Sequence, residues 1–280
     1  MSKFCIDNGE IKKTQECSMP MELVFGMGDM IHETVRLVNT QALFLKQHIQ
    51  NMCDTMDVLA IPYPQDFTFS EIAKQITRLL NVNKVYKGGE CKIIIYRNAP
   101  VFGTISTEVS YALFIKVLAH NTFEFNTKGV RVALLPSVII QKPWLYSMYS
   151  AHMLVQHKTY HLFQKTGVDV LAYFTEDGHV FHSSGGDIFY IQNGIVYCPS
   201  IETNTFRHPL SDFLLQQLSK INIQYSEQNT CTINAILKAD EVFIVHPIHG
   251  IQWVVSCNEK TYLCKLSQKI HQLLLREIEV

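Results

Sequence analysis

Apolar positions along the chain follow two periods, and each period marks a set of elements. Alternation and short apolar runs mark strands: a pair around Phe4–Ile11, then Cys91–Arg97, Tyr111–Ile115 and Asp169–Thr175. The helical period marks the rest. A helix follows Gln41–His48, and a second opens at Phe69-Ser70-Glu71 with Ser70 as its cap and apolar residues at Ile72, Ile76, Leu79 and Leu80. Ser150–Lys165 and His208–Leu218 read as helices, the latter with Pro209 in its first turn. In the last stretch, Tyr262–Ile278, Leu263, Leu266, Ile270, Leu273 and Leu274 form one packing face.

Between Asp177 and Ile201 the turns Asp177-Gly178 and Asn193-Gly194 divide 25 residues into three short strands, with Asp187–Ile191 alternating as a half-buried strand. Hairpin turns of this kind dominate between strands. An α+β layered fold therefore fits better than a doubly wound parallel sheet. The expected organisation is an N-terminal α+β domain over 1–119, a linker over 120–128 centred on His120–Glu124, and a C-terminal α+β domain over 129–280.

Composition narrows the function classes. With 280 residues, 47% hydrophobic and 18% charged, the chain can bury one large or two medium cores. A formal net charge of −1 gives no electrostatic reason to bind nucleic acid or an anionic membrane. Apolar runs such as Val132–Pro136 are far too short to span a bilayer, and Met1–Cys5 opens no signal peptide, so a cytoplasmic location is expected. The eight cysteines form no C-x-x-C pair and are expected as free thiols. His157 and His161 stand four apart on a helix, but a partly exposed helical face explains that spacing without zinc, and no metal is expected.

The order of several motifs resembles the class IV aminotransferases, a pyridoxal-phosphate (PLP) family that includes the branched-chain and D-amino-acid aminotransferases and aminodeoxychorismate lyase. Gly28–Arg36 resembles the family's G-D-G-x-F-E-T-x-R block, and His48–Met52 stands where it has H-x-x-R-L. Asp177–Ile201 follows its strand–turn–strand block, Ala239–Ile244 its A-D-E-V-F strand, and Gly250-Ile251 the G-I pair beyond. The resemblance implies the two-domain fold-type IV architecture, a symmetric homodimer and PLP as the family's cofactor.

The residues at the family's chemical positions differ. The resemblance places Tyr149 at the lysine that forms the internal aldimine, and a tyrosine forms no Schiff base. Lys142 and Lys158 are the nearest lysines, and an active aminotransferase or aminodeoxychorismate lyase would have to use one of them. His182 takes the position of the glutamate at the pyridine nitrogen, and Asp187 that of a following asparagine. Around the phosphate, Asn51 replaces an arginine, Asn204-Thr205 replaces a glycine-bearing helix start ahead of a retained Arg207, and Val245-His246-Pro247 replaces a hydroxyl-bearing loop.

The reading is an aminotransferase-like protein with a degenerate PLP site, acting as a non-catalytic binding or accessory protein. Asp29, Glu33, Arg36, Phe189, Asp240, Glu241 and Gly250 read as retained scaffold. By the family's layout Tyr149, His152, His182, His246 and His249 meet in the old cleft. There they form either a pocket for a different small-molecule ligand, with Tyr149 and His182 available for acid–base work, or the filling of a closed cleft.

Overall fold

A computed structural model of the chain describes residues 2–19, 30–98, 108–135, 139, 153–200, 207–228 and 231–278. Gly28, Asp29, Lys142, Tyr149, His152, Asn204 and Thr205 lie outside the described residues, as do the side chains of His157 and Lys158. Two compact units divide between Thr122 and Phe123.

The first unit is a six-stranded antiparallel sheet in the order β2-β1-β6-β5-β3-β4. Its strands are β1 (Phe4–Asp7), β2 (Glu10–Lys13), β3 (Met30–Val38), β4 (Gln41–Ala42), β5 (Gly89–Arg97) and β6 (Val109–Val117). Strand residues one apart point to opposite faces, so Ile31, Val35, Ile93, Ile95, Leu113 and Ile115 share the face covered by helices α1 (Leu45–Val58) and α2 (Phe69–Asn83). Helix α1 brings Ile49, Met52 and Met56 to this core, and α2 brings Ile72, Ile76, Leu79 and Leu80. The cap of α2 is Thr68 and not Ser70: the Thr68 hydroxyl accepts the Glu71 N–H at 3.3 Å, which starts the helix two residues earlier than a Ser70 cap would. On the opposite face Ile94, Tyr96 and Ala112 pack with Met19, Met30 and Phe114.

Arg36 closes this unit. Its buried guanidinium donates to the carbonyls of His120, Asn121 and Thr122 at 2.8, 3.0 and 3.1 Å, and to Gly89 at 3.3 Å. Chain and sheet approach so closely here that a Cβ on Gly88 would stand 2.2 Å from the His120 carbonyl oxygen. Part of the expected linker is therefore pinned, and Phe123 just beyond it is buried.

The second unit is a nine-stranded mixed sheet, ordered β12-β11-β10-β13-β14-β7-β8-β9 with β15 on β14. Its strands are β7 (Val130–Ala133), β8 (Val170–Phe174), β9 (Val180–Ser183), β10 (Asp187–Gln192), β11 (Ile195–Pro199), β12 (Tyr225–Gln228), β13 (Glu241–His246), β14 (Gly250–Cys257) and β15 (Lys260–Thr261). The helices are α3 (Met153–Thr166), α4 (Pro209–Lys220), α5 (Ile233–Lys238) and α6 (Lys265–Ile278). The three short strands expected between Asp177 and Ile201 are β9, β10 and β11. Asn193 and Gly194 take φ of 53° and 78°, as a two-residue hairpin turn requires.

Two details differ from the sequence expectation. Asp187–Ile191 is buried on both faces instead of one, because β10 lies inside the sheet and the Phe189 ring stacks on its cross-strand partner Phe243 at 5.0 Å. Leu263 is not on the last helix's packing face: α6 starts at Lys265, leaving Leu263 exposed, while Ser267, Ile270, His271 and Leu274 face inward.

Among the eight free cysteines, Cys5, Cys91, Cys198, Cys231 and Cys257 are buried. Burial pushes each of their thiols up to about 12. Among the described residues no helix is long and apolar enough to cross a membrane.

Candidate functional site

The β9–β10 turn builds a polar cluster in the second unit. Ser183 Oγ donates to the Gly186 carbonyl at 2.7 Å, and the Ser184 N–H donates to the Leu171 carbonyl at 2.8 Å. Gly186 adopts φ +122°, and a Cβ there would meet the Val245 carbonyl oxygen at 2.3 Å, so only glycine lets the chain turn so close to β13. This turn returns Asp187 to the side of His182, with Nδ1 and Oδ1 3.1 Å apart.

Asp187 also holds helix α4. Its Oδ2 accepts the His208 N–H at 2.9 Å and the Ser211 hydroxyl at 2.6 Å, placing a carboxylate at the positive end of the helix. Burial pushes the Asp187 carboxyl up, but His182, Ser211 and the His208 N–H outweigh it and hold the group below the usual carboxylate value. His208 Nδ1 in turn accepts the Leu210 N–H at 3.2 Å. Glu241 serves α6 in the same way, accepting the N–H groups of Leu266 and Ser267 at 2.7 and 2.9 Å and the Ser267 hydroxyl at 2.7 Å.

The retained Arg207 is committed elsewhere. Its guanidinium donates to Glu227 at 3.0 and 3.3 Å, to the Pro199 carbonyl at 2.9 Å and to Asp212 at 3.5 Å.

The β13–β14 turn carries Val245, His246 and His249. His246 Nδ1 accepts the backbone N–H groups of Ile248 and His249 at 3.0 and 3.2 Å, so the imidazole fills the acceptor position of its own turn. Burial, helped by the adjacent His249 ring at 4.4 Å, lowers the His246 pKa to about 3 and keeps the ring neutral. Gly250 follows at φ +69°, with its Cα side closed by Phe123. Asp187 pairs with Val245 across β10 and β13, which puts His182 and His246 at the same end of the sheet.

In the first unit Asn51 lies on α1, near the buried Glu33. Glu33 also takes His48 Nδ1 at 2.9 Å. Burial raises the Glu33 carboxyl, with His48 and Asn51 partly opposing that shift.

Of the expected pocket residues, His182, His246 and His249 come to one end of the second sheet. The described residues hold no cluster of three metal-ligating side chains. The sequence reading missed the engagement of Asp187 with His182 and α4. Its signal was the joint change of two family positions, Glu to His and Asn to Asp, on either side of Gly185-Gly186. Arg207's partner Glu227 had no sequence signal, being 20 residues away on an edge strand.

Mixed sheet, hairpin block and motif order define a fold-type IV protein, and a family match agrees: the sequence profile described as "Amino-transferase class IV" matches residues 30–257, so the chain belongs to that family. It is 22% identical over 223 residues to a putative branched-chain-amino-acid aminotransferase of Methanocaldococcus jannaschii, covering 78% of this chain and 74% of that one. Among solved structures it resembles the branched-chain aminotransferase of Thermoproteus uzoniensis, with a TM-score of 0.87, 17% identity, and coverage of 99% of this chain and 94% of that one. It also resembles a putative 4-amino-4-deoxychorismate lyase of Legionella pneumophila, with a TM-score of 0.78, 18% identity, and coverage of 91% and 93%.

Proposed function

We propose that this class IV aminotransferase-like chain is a non-catalytic binding or accessory protein whose PLP site is degenerate. The observation that carries the reading is the internal satisfaction of the groups left at the phosphate positions. The Arg207 guanidinium is spent on Glu227 and Asp212, and His246 takes the turn amides of Ile248 and His249. A dianion arriving there would have to break these contacts, each worth about 0.5–3 kcal/mol. The described residues do not fit a phosphorylated cofactor. Tyr149 at the lysine position and His182 at the glutamate position support the same reading from sequence.

Purified protein mixed with PLP should show no internal-aldimine absorbance, and borohydride reduction followed by peptide mapping should find no pyridoxyl adduct. An adduct on Lys142 or Lys158 would overturn this reading in favour of an active aminotransferase or aminodeoxychorismate lyase with a displaced lysine. The scaffold motifs shared with the family also support a symmetric homodimer, and light scattering at micromolar concentrations that finds only monomer removes the dimer.

A further inference from the structure

The second unit holds an open cavity of about 840 Å³ at the edge of its sheet, bounded by β11, the C-terminal end of α4 and the edge strand β12. That volume falls within the range of about 300–1,000 Å³ common to small-ligand sites. The lining consists of two tyrosines, three primary amides, two serine hydroxyls and two isoleucines, with no charged side chain. None of these residues stands at a position that the family resemblance gives to the cofactor.

Part of this lining is set in advance. Tyr197 stacks on the buried Tyr190, with ring centroids 5.0 Å apart, so one wall of the cavity is a fixed aromatic ring. Ser226 is the partner of Tyr197 across β11 and β12, and its Oγ accepts the Gln228 amide N–H at 2.8 Å. The bond leaves the Ser226 O–H to donate and Gln228 Oε1 to accept, side by side. Glu227, between them in sequence, points to the opposite face of the strand and meets Arg207 at 3.0 Å. At the other end Asn222, at φ 57° just beyond α4, and Gln224 bring amides that make no side-chain hydrogen bond among the described residues.

We infer that this cavity binds a neutral saccharide. One hydroxyl of a vicinal diol donates to Gln228 Oε1 while its neighbour accepts from the Ser226 O–H, and a C–H face of the sugar ring covers Tyr197. Hydroxyls and primary amides each both donate and accept, so a hydroxyl-rich ligand satisfies the Asn222 and Gln224 side chains as well. A phosphate, carboxylate or ammonium group would lose hydration with no opposite charge in the lining to receive it. A purely apolar ligand would cover the amides and leave them without partners.

Saturation-transfer NMR on the full-length protein, with irradiation of its aromatic protons, tests the inference. The probes are the methyl glycosides of glucose, galactose and mannose, with glucose 6-phosphate and glucosamine as charged analogues. At least one methyl glycoside should receive saturable transfer at its ring protons, and the charged analogue of glucose should bind more weakly than its methyl glycoside. Gln228→Ala, which removes the acceptor, should raise that glycoside's dissociation constant about tenfold. Transfer to none of the three glycosides, charged analogues that bind as tightly as methyl glucoside, or an unchanged constant in Gln228→Ala overturns the inference. Should Gln228→Ala fail to fold, Ser226→Ala removes the paired donor and is read in the same way. A pyridoxyl adduct would sink the cofactor-loss reading and leave this one standing, whereas a failed sugar titration sinks only this one.

Discussion

His246 commits its Nδ1 lone pair to two backbone N–H groups, and protonation would turn that acceptor into a donor facing donors. Its pKa falls from 6.5 to about 3 on folding. Across that window the unfolded chain binds a proton that the folded ring refuses, so this residue's contribution to stability is complete above pH 6.5 and is lost as pH falls towards 3. His246→Asn retains a side-chain acceptor without a titrating ring and should flatten that part of the pH dependence. Thermal denaturation of both proteins from pH 7 to pH 4 measures it, and parallel curves would refute the assignment. None of this was legible in the sequence, which placed His246 in a cleft by family layout alone. A side chain bonding to amides two and three residues ahead depends on the turn's geometry, and Val245-His246-Pro247 does not reveal that geometry by composition.

Elements were more legible where one face is buried and the other wet. Ile72, Ile76, Leu79 and Leu80 marked α2 because its outer face is solvated, so the period of 3.6 survives in the sequence. Strand β10 lies between β11 and β13 and Asp187, Ile188, Phe189, Tyr190 and Ile191 are all buried, so the alternation read there had no wet face behind it. The starts of α4 and α6 depend on carboxylates from the sheet, Asp187 at a position read as a replaced family asparagine and Glu241 at one read as scaffold. Replacing Glu241 with Gln removes a charge that receives two N–H groups and a hydroxyl at the start of α6, and one of the two oxygens can no longer accept. The expected cost is about 1–3 kcal/mol, read as a lower urea midpoint. A midpoint unchanged within error would show that helix packing alone sets this end.

At the scale of the whole molecule, the fold class was the most legible property. Hairpin signals at Asp177-Gly178 and Asn193-Gly194, with helices between strand groups, specify α+β before any coordinate is known, and the order of motifs adds the fold type. Long-range partnerships such as Arg207 with Glu227 were invisible, since the sequence set Arg207 at a phosphate position and gave Glu227 no role.

The buried cysteines give each unit its own chemical clock. Cys5 and Cys91 lie in the first unit, and Cys198, Cys231 and Cys257 in the second, all with little thiolate at neutral pH and little access for a reagent. Alkylation must therefore wait for local or global opening, and the lag at each position reports the free energy of opening around it. In mild urea, isotope-coded alkylation with mass spectrometry should give one common time course for Cys5 and Cys91 and a second for the other three if the units open independently. A single course for all five would mean that the two units come apart together, as one cooperative body whose weakest region sets the lifetime of the rest.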